Sequence, residues 1–340
     1  MFDAVLIVSF GGPQGMDDIR PFLANVLRGR RVSPERVEEV AHHYERFGGV
    51  SPLTTLTMQQ AEGLRTRLAE TGESLPVYVG MRNWHPYLAD TLRQMYDDGV
   101  RRAIGFITSA FHSYSGCQQY RENVEAARSE LRATRQGDIE ITYVSSWFDH
   151  PGFIGTNAAH VAAALETLPP AVVGQARIIF TAHSIPESMA ERSQYREQLH
   201  HASKAVAERL GCDWVLVYQS RSGRPEDPWL GPDICDYLKT AHAAGLRAAV
   251  ICPIGFVCDH IEVLYDLDDE AAGVCRALGL PMARAASANA DPQFLDMMAD
   301  VVLRTVRRYR TGRPLPLVPL PKPASDATQS GSRPSRRPGI

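Results

Sequence analysis

The sequence predicts an α/β protein of two Rossmann-like domains, each a parallel sheet flanked by helices. Strand-like runs alternate with helical patterns along the chain, and strand-then-helix repetition builds parallel sheets covered on both faces. The alternation occurs twice with the same rhythm, and 340 residues suffice for two domains. After Arg310 the composition changes to a Pro-, Ser- and Gly-rich stretch poor in anything that could build a core.

Taken in order, the first half has strand-like runs at about 3–9, 76–81, 102–109 and 139–144, with helical spacing near 16–27, 34–46, 54–70, 85–97 and 117–134. The second has strands near 176–182, 214–218, 247–252 and 281–285, with helices near 151–167, 193–210, 231–244, 259–278 and 291–309. The expected domains are 1–145 and 146–310, with a cleft between them and a disordered tail over 311–340. No residue-level repeat relates the halves, so their likeness is architectural.

Composition narrows the function. With 44% apolar and 22% charged residues this is an ordinary globular chain. A net charge of −3 and a pI near 6.4 argue against nucleic-acid binding. The first apolar run, AVLIVSF, lacks a preceding basic flank and ends in Gly11, Gly12 and Pro13, as a strand does and a signal peptide does not. No apolar run reaches membrane-spanning length. Six cysteines without an export signal or a CxxC pair read as cytoplasmic thiols, with Cys252 and Cys258 in packing roles. The expectation is a cytoplasmic protein without integral membrane association.

The stretch 247–270, RAAVICPIGFVCDHIEVLYDLDDE, carries the strongest chemistry. A buried strand is broken by Pro253 and Gly255, and helical spacing resumes from about Asp259. On an α-helix, Asp259, Glu262, Asp266, Asp269 and Glu270 share an arc of about 100°, while Asp268 points away. Like charges at that spacing repel, so the stripe costs stability unless it is solvated or cations occupy it. Its place just past the carboxyl end of a parallel strand, where open α/β sheets bind ligands, favours the second.

RIIFTAHSIPES, 177–188, delivers His183 to the carboxyl end of another strand of the same predicted sheet. His183 and Glu262 can therefore face one crevice, where a neutral imidazole opposite a carboxylate suits proton acceptance or divalent-metal binding. Residues 28–52 combine Arg28 and Arg30 with a helix and a Gly-Gly turn, as a solvated connection or a receptor for carboxylates. TSAFHSYSGCQQYR, 108–121, could line a flat aromatic ligand, with Ser115 and Tyr120 offering hydrogen bonds. SFGGPQG, 9–15, lacks the order of a phosphate-binding loop, so its glycines serve a sharp turn or a close backbone approach.

TAHSIPE, DPWLGPD and PIGFVCDHIEVLYDLDDE, with SFGGP and FGGVSPLT, together resemble the ferrochelatase family, which inserts ferrous iron into a porphyrin. These landmarks run in the family's order from the first strand to about residue 310. The resemblance implies a chelatase-like pair of Rossmann-like domains, and His183 and Glu262 as the metal-handling pair. It implies Asp266 and Glu270 as further members of an acidic row that holds or relays a hydrated cation. It puts Ser51 and Tyr120 at the porphyrin carboxylates, with His43 and Tyr44 nearby. Phe10 stands where some Gram-positive relatives have a metal-coordinating Tyr, and a phenyl ring cannot coordinate. Some relatives carry an iron–sulfur cluster; Cys117 sits in a similar context, but no cysteine follows Cys275, so none is expected here.

The expected chemistry is loss of two pyrrole protons as iron sheds its water, with His183 as proton acceptor or transient iron ligand. Glu262 would relay a proton, and the carboxylates would supply oxygen ligands for a hydrated ion, with room for an additional divalent cation. A polar, arginine-bearing mouth favours four-carboxylate coproporphyrin III over protoporphyrin IX. The rivals are a protoporphyrin IX ferrochelatase, a cobalt or nickel tetrapyrrole chelatase, and a non-enzymatic haem carrier. Expected partners are coproporphyrin III, ferrous iron and neighbouring enzymes of the haem pathway.

Overall fold

A computed structural model describes residues 1–29, 32–135, 137–222 and 226–312. Arg30 and, from residue 313 on, the expected tail lie outside them. Eight strands form two four-stranded parallel sheets: β1 Ala4–Ser9, β2 Val77–Met81, β3 Arg102–Ile107 and β4 Glu140–Tyr143 in the first, β5 Ala176–His183, β6 Trp214–Gln219, β7 Ala248–Cys252 and β8 Met282–Arg284 in the second. The first has the order β2-β1-β3-β4 and the second β6-β5-β7-β8, so one topology is used twice. β1 and β7 are buried along their whole length, which is why they read as unbroken apolar runs.

Each sheet reverses its direction of growth beside its first strand, opening a crevice at the carboxyl ends of β1 and β3 and another at those of β5 and β7. Helix starts are encoded locally. Ser33 accepts the Arg36 N–H with Pro34 in the first turn, and Asp291 accepts the Gln293 and Phe294 N–H groups before Pro292. The helix Tyr195–Leu210 ends at Gly211, whose φ of +63° gives the left-handed stop.

The lobes share apolar packing. One buried cluster contains Phe106 of β3, Trp147 and Phe153 from the crossover, Phe180 of β5 and Phe294 of the last helix. Trp147 lies 5.5 Å from Phe106, 5.3 Å from Phe153 and 5.8 Å from Phe294, ring centre to ring centre. The last helix, Pro292–Arg310, crosses back to pack on Leu53–Glu70 of the first lobe, and Arg310 pairs with Glu73. Among the described residues no helix is long and apolar enough to cross a membrane.

Three expected helices differ in form: that near 16–27 opens with a 3-10 turn at Met16–Asp18, and that near 117–134 is entered through a π-helical turn at Tyr114–Gln118. The third, after β7, begins at Ile261 and becomes π-helical over Leu264–Ala271 before returning to α at Ala272. Asp259 thus precedes the helix, and the wider turn changes which side chains align. Short helices at Pro170–Val173 and Glu187–Ala190 were also absent from the expected pattern.

Candidate active site

β5 ends at His183, whose backbone carbonyl accepts the buried Tyr195 hydroxyl at 3.0 Å. Its Nδ1 donates to the Ser184 carbonyl, and because a carbonyl can only accept, Nδ1 carries the hydrogen of the neutral ring. Nε2, which keeps its lone pair in that tautomer, lies 4.0 Å from the Glu262 carboxylate. Both side chains reach solvent, His183 being 33% and Glu262 47% exposed.

Glu262 arrives from the other side of the same switch point. The loop after β7 crosses tightly over β5: the Gly255 N–H donates to the Thr181 carbonyl at 3.0 Å, and a Cβ at Gly255 would lie 2.6 Å from the Ala182 Cα. His260 then caps the helix, its Nδ1 accepting the Glu262 N–H at 3.2 Å. Burial holds the His260 imidazole below its ordinary pKa, against the opposing pull of Glu262 and Asp259.

Next along the row, Asp266 accepts from the Ser220 hydroxyl and, at 3.2 Å, from Gln219 Nε2, which also donates to the Glu262 carbonyl at 3.2 Å. Burial, reinforced by Glu262 and Glu270 and opposed by the Ser220 and Gln219 bonds, pushes Asp266 up to about 7. Burial also raises Glu270, with Asp233 and Asp269 adding to it and the Tyr265 hydroxyl opposing. A carboxyl near 7 takes and gives up a proton in neutral solution.

Among the described residues only part of the expected acidic stripe is without an ion-pair partner from an arginine. Asp259 is buried in an ion pair with Arg284 at 3.0 Å, and Asp269 pairs with Arg46 of the first lobe at 2.7 Å. Asp268 faces away, as expected, and pairs with Arg284. Glu262, Asp266 and Glu270 remain. They are spaced along the helix, and among the described residues no three His, Cys, Asp or Glu side chains gather into a metal cage.

The first lobe contributes aromatic and hydroxyl groups. Tyr44 packs on Phe22 with ring centres 5.6 Å apart, and both Tyr44 and Tyr120 are buried enough to raise their hydroxyl pKa values, each also sensing the Glu262 charge. Ser51 is buried against Gly12, where a Cβ would approach its own to 2.6 Å; this close approach explains the second glycine of SFGGP. Phe10, half-buried, lies beyond β1. His43 stacks on Tyr265 with ring centres 3.6 Å apart, so its ring is spent bridging the lobes; burial, with Arg36 adding to it, lowers its pKa. Arg28 is exposed and donates to Asn25 Oδ1 at 2.6 Å.

Several residues here were not anticipated. Arg82 leaves the carboxyl end of β2 and places its guanidinium over Tyr120 at 4.7 Å and Phe10 at 5.5 Å. Gln219 and Ser220 leave the end of β6. The rule that singled out His183, a polar residue at a carboxyl strand end, would have found all three. Across the lobes, Ser115 donates to Met189 Sδ at 3.8 Å and the His112 N–H donates to Gln198 at 2.7 Å. A surface concavity of about 460 Å³, lined by Arg196, His200, Trp214 and Tyr218 among others, lies along β6 at the sheet edge and includes none of the acidic row.

Comparison with known proteins bears on the family and the fold. The ferrochelatase family model matches residues 2–306. A ferrochelatase of Rhodopirellula baltica is 49% identical over 88% of this chain and 85% of its own. The coproporphyrin III ferrochelatase of Streptomyces coelicolor is 48% identical over 89% of this chain and 85% of its own, and that of Mycobacterium marinum 49% over 86% and 84%. Among solved structures, the sirohydrochlorin chelatase of Bacillus subtilis in complex with cobalt superposes with a TM-score of 0.54 at 8% identity, covering 92% of this chain and 98% of that one, a likeness of fold. With two lobes of chelatase topology and relatives near half identical over most of their length, the chain belongs to the ferrochelatase family.

Proposed function

We propose that this enzyme inserts ferrous iron into coproporphyrin III, with His183 and Glu262 handling the metal and the departing protons. The observation that carries the reading is His183 Nε2 facing the Glu262 carboxylate across 4.0 Å at a sheet switch point. Insertion releases two pyrrole protons. His183 Nε2 accepts one and the Glu262 carboxylate takes up the other, and both pass on to solvent. Asp266, with a pKa near 7, and Glu270 extend a row along which protons or a hydrated cation can pass.

The first lobe supplies the other face. Tyr44 and Tyr120 would bound the ring, and Ser51 and Tyr120 would meet substrate carboxylates, with Phe10 packing rather than ligating and Arg28 at the mouth. The names of relatives in Streptomyces and Mycobacterium support coproporphyrin III as the ring. So does the charged exposed face of Pro34–Arg46, which offers no apolar surface to a lipid bilayer.

The test is anaerobic mixing of ferrous iron with coproporphyrin III and, separately, protoporphyrin IX, followed by absorbance. Faster turnover of coproporphyrin III is expected; equal or faster turnover of protoporphyrin IX would reverse the ring assignment, and a change no faster than in buffer would make this a carrier. His183→Ala should slow insertion at least about 100-fold while porphyrin still quenches intrinsic fluorescence. An unchanged rate in that variant would remove His183 from the reaction.

A further inference from the structure

The open acidic row owes its orientation to a residue outside it. Arg284 ends β8 in register with Ile251 of β7, the strand that leads into the row, and its side chain is 17% exposed. Nη1 donates to Asp259 at 3.0 Å, before the helix begins, and Nε donates to Asp268 at 2.5 Å, inside the π-helical turn. One guanidinium therefore grips both flanks of the segment that carries Glu262 and Asp266.

The grip is braced on its far side. Asp259 also accepts from the Ser287 hydroxyl at 2.8 Å and Asn289 Nδ2 at 2.9 Å, while its own N–H donates to Asn289 Oδ1 at 2.8 Å. Burial would raise the Asp259 carboxyl, but Arg284 and these donors hold it below its ordinary value, so the pair stays charged. The planar guanidinium fork suits two carboxylates at once; an ammonium does not.

An i→i+5 turn is rare and has an α-helical competitor in which each residue advances by about 100°. Regaining that α-helical phase would turn Asp266 about the helix axis relative to Glu262 and break its bonds to Gln219 and Ser220. Tying Asp268 to β8 opposes the rotation, and the guanidinium offsets part of the negative charge that Asp259 and Asp268 place beside the row.

We propose that Arg284 is a positioning residue for metal insertion, setting the phase of the π-helical turn so that Glu262, Asp266 and Glu270 face the cleft. This rests on the assignment of Glu262 and Asp266 to the reaction. Arg284→Met in the full chain should lower kcat about 10- to 100-fold, since misplacement by an ångström costs that order, with porphyrin affinity within about twofold of wild type. Arg284→Lys should recover only part of kcat. The control is Arg177→Met, which breaks the Arg177–Asp213 pair at the opposite end of β5; it should lower thermal stability and leave kcat per folded molecule unchanged.

A kcat for Arg284→Met equal to wild type, or lowered only as far as in the control, would overturn the proposal. If Arg284→Met does not fold, Asp268→Asn decides: it keeps the Asp259 pair, should lower kcat with porphyrin affinity unchanged, and overturns the proposal if kcat stays at the wild-type level. Absence of insertion by wild type with either porphyrin would instead refute the functional assignment and leave the geometric role to be read from near-ultraviolet dichroism of Tyr265, which Arg284→Met should alter and Arg177→Met should not.

Discussion

Asp266 is held at the edge of ionisation by competing neighbours, and that competition has a consequence for stability. Its folded pKa lies at about 7 against an ordinary value of 3.8. Between those values the folded chain keeps a proton that the unfolded chain has lost, so this group makes stability fall as pH rises through the window and level off above it. Asp266→Asn should flatten that fall and raise the urea midpoint at pH 8 relative to wild type, both measured with chelator present. Parallel pH dependences in the two proteins would show that Asp266 is ionised throughout. Glu262→Gln tests the neighbouring group: insertion should slow at least about tenfold, and its pH–rate profile should change shape. His183 was legible because strand residues lead straight to it; Arg82 sits at an equivalent strand end, but its partners Phe10 and Tyr120 come from other elements that only the fold brings to it.

Among the elements, the loop from Pro253 to His260 transmits β7 into the acidic row and leaves no space over β5. Gly255→Ala would set a methyl 2.5 Å from the Ala182 Cβ, beside His183. The variant should lose about 1–3 kcal/mol of stability, and its kcat should drop because the displaced loop carries Glu262; wild-type kcat with wild-type melting would mean that the loop yields freely. The helix expected near 34–46 from its spacing is found at Pro34–Arg46, its start fixed by the local cap of Ser33 with Pro34. The π-helical turn was not expected. Its apolar anchors, Leu267 and Ala271, lie four apart and fit an α-helix as well, so spacing alone put Asp259 and Asp269 in the open stripe.

At the scale of the molecule, the aromatic cluster around Trp147 and the returning last helix make the two sheets one cooperative body. Thermal unfolding should therefore give one transition with calorimetric and van't Hoff enthalpies in agreement; two resolved transitions would mean the lobes fold separately. Phe294→Ala, at a fully buried position touching both Trp147 and Phe153, should cost about 3–5 kcal/mol and lower that transition without splitting it.

The amino-acid order by itself determined the eight described strands, their parallel pairing rhythm, the arrival of His183 at a carboxyl strand end and that of Glu262 in the helix beyond another, since each follows from periodicity and breakers within a short window. Only the tertiary structure decided which carboxylates stay open. Asp269 is paired with Arg46, 223 positions away, and Asp259 and Asp268 share Arg284 of β8. A helical stripe reports direction about its own axis, but whether a charge there is free depends on what the fold brings against it, and that partner is not written in the neighbouring residues.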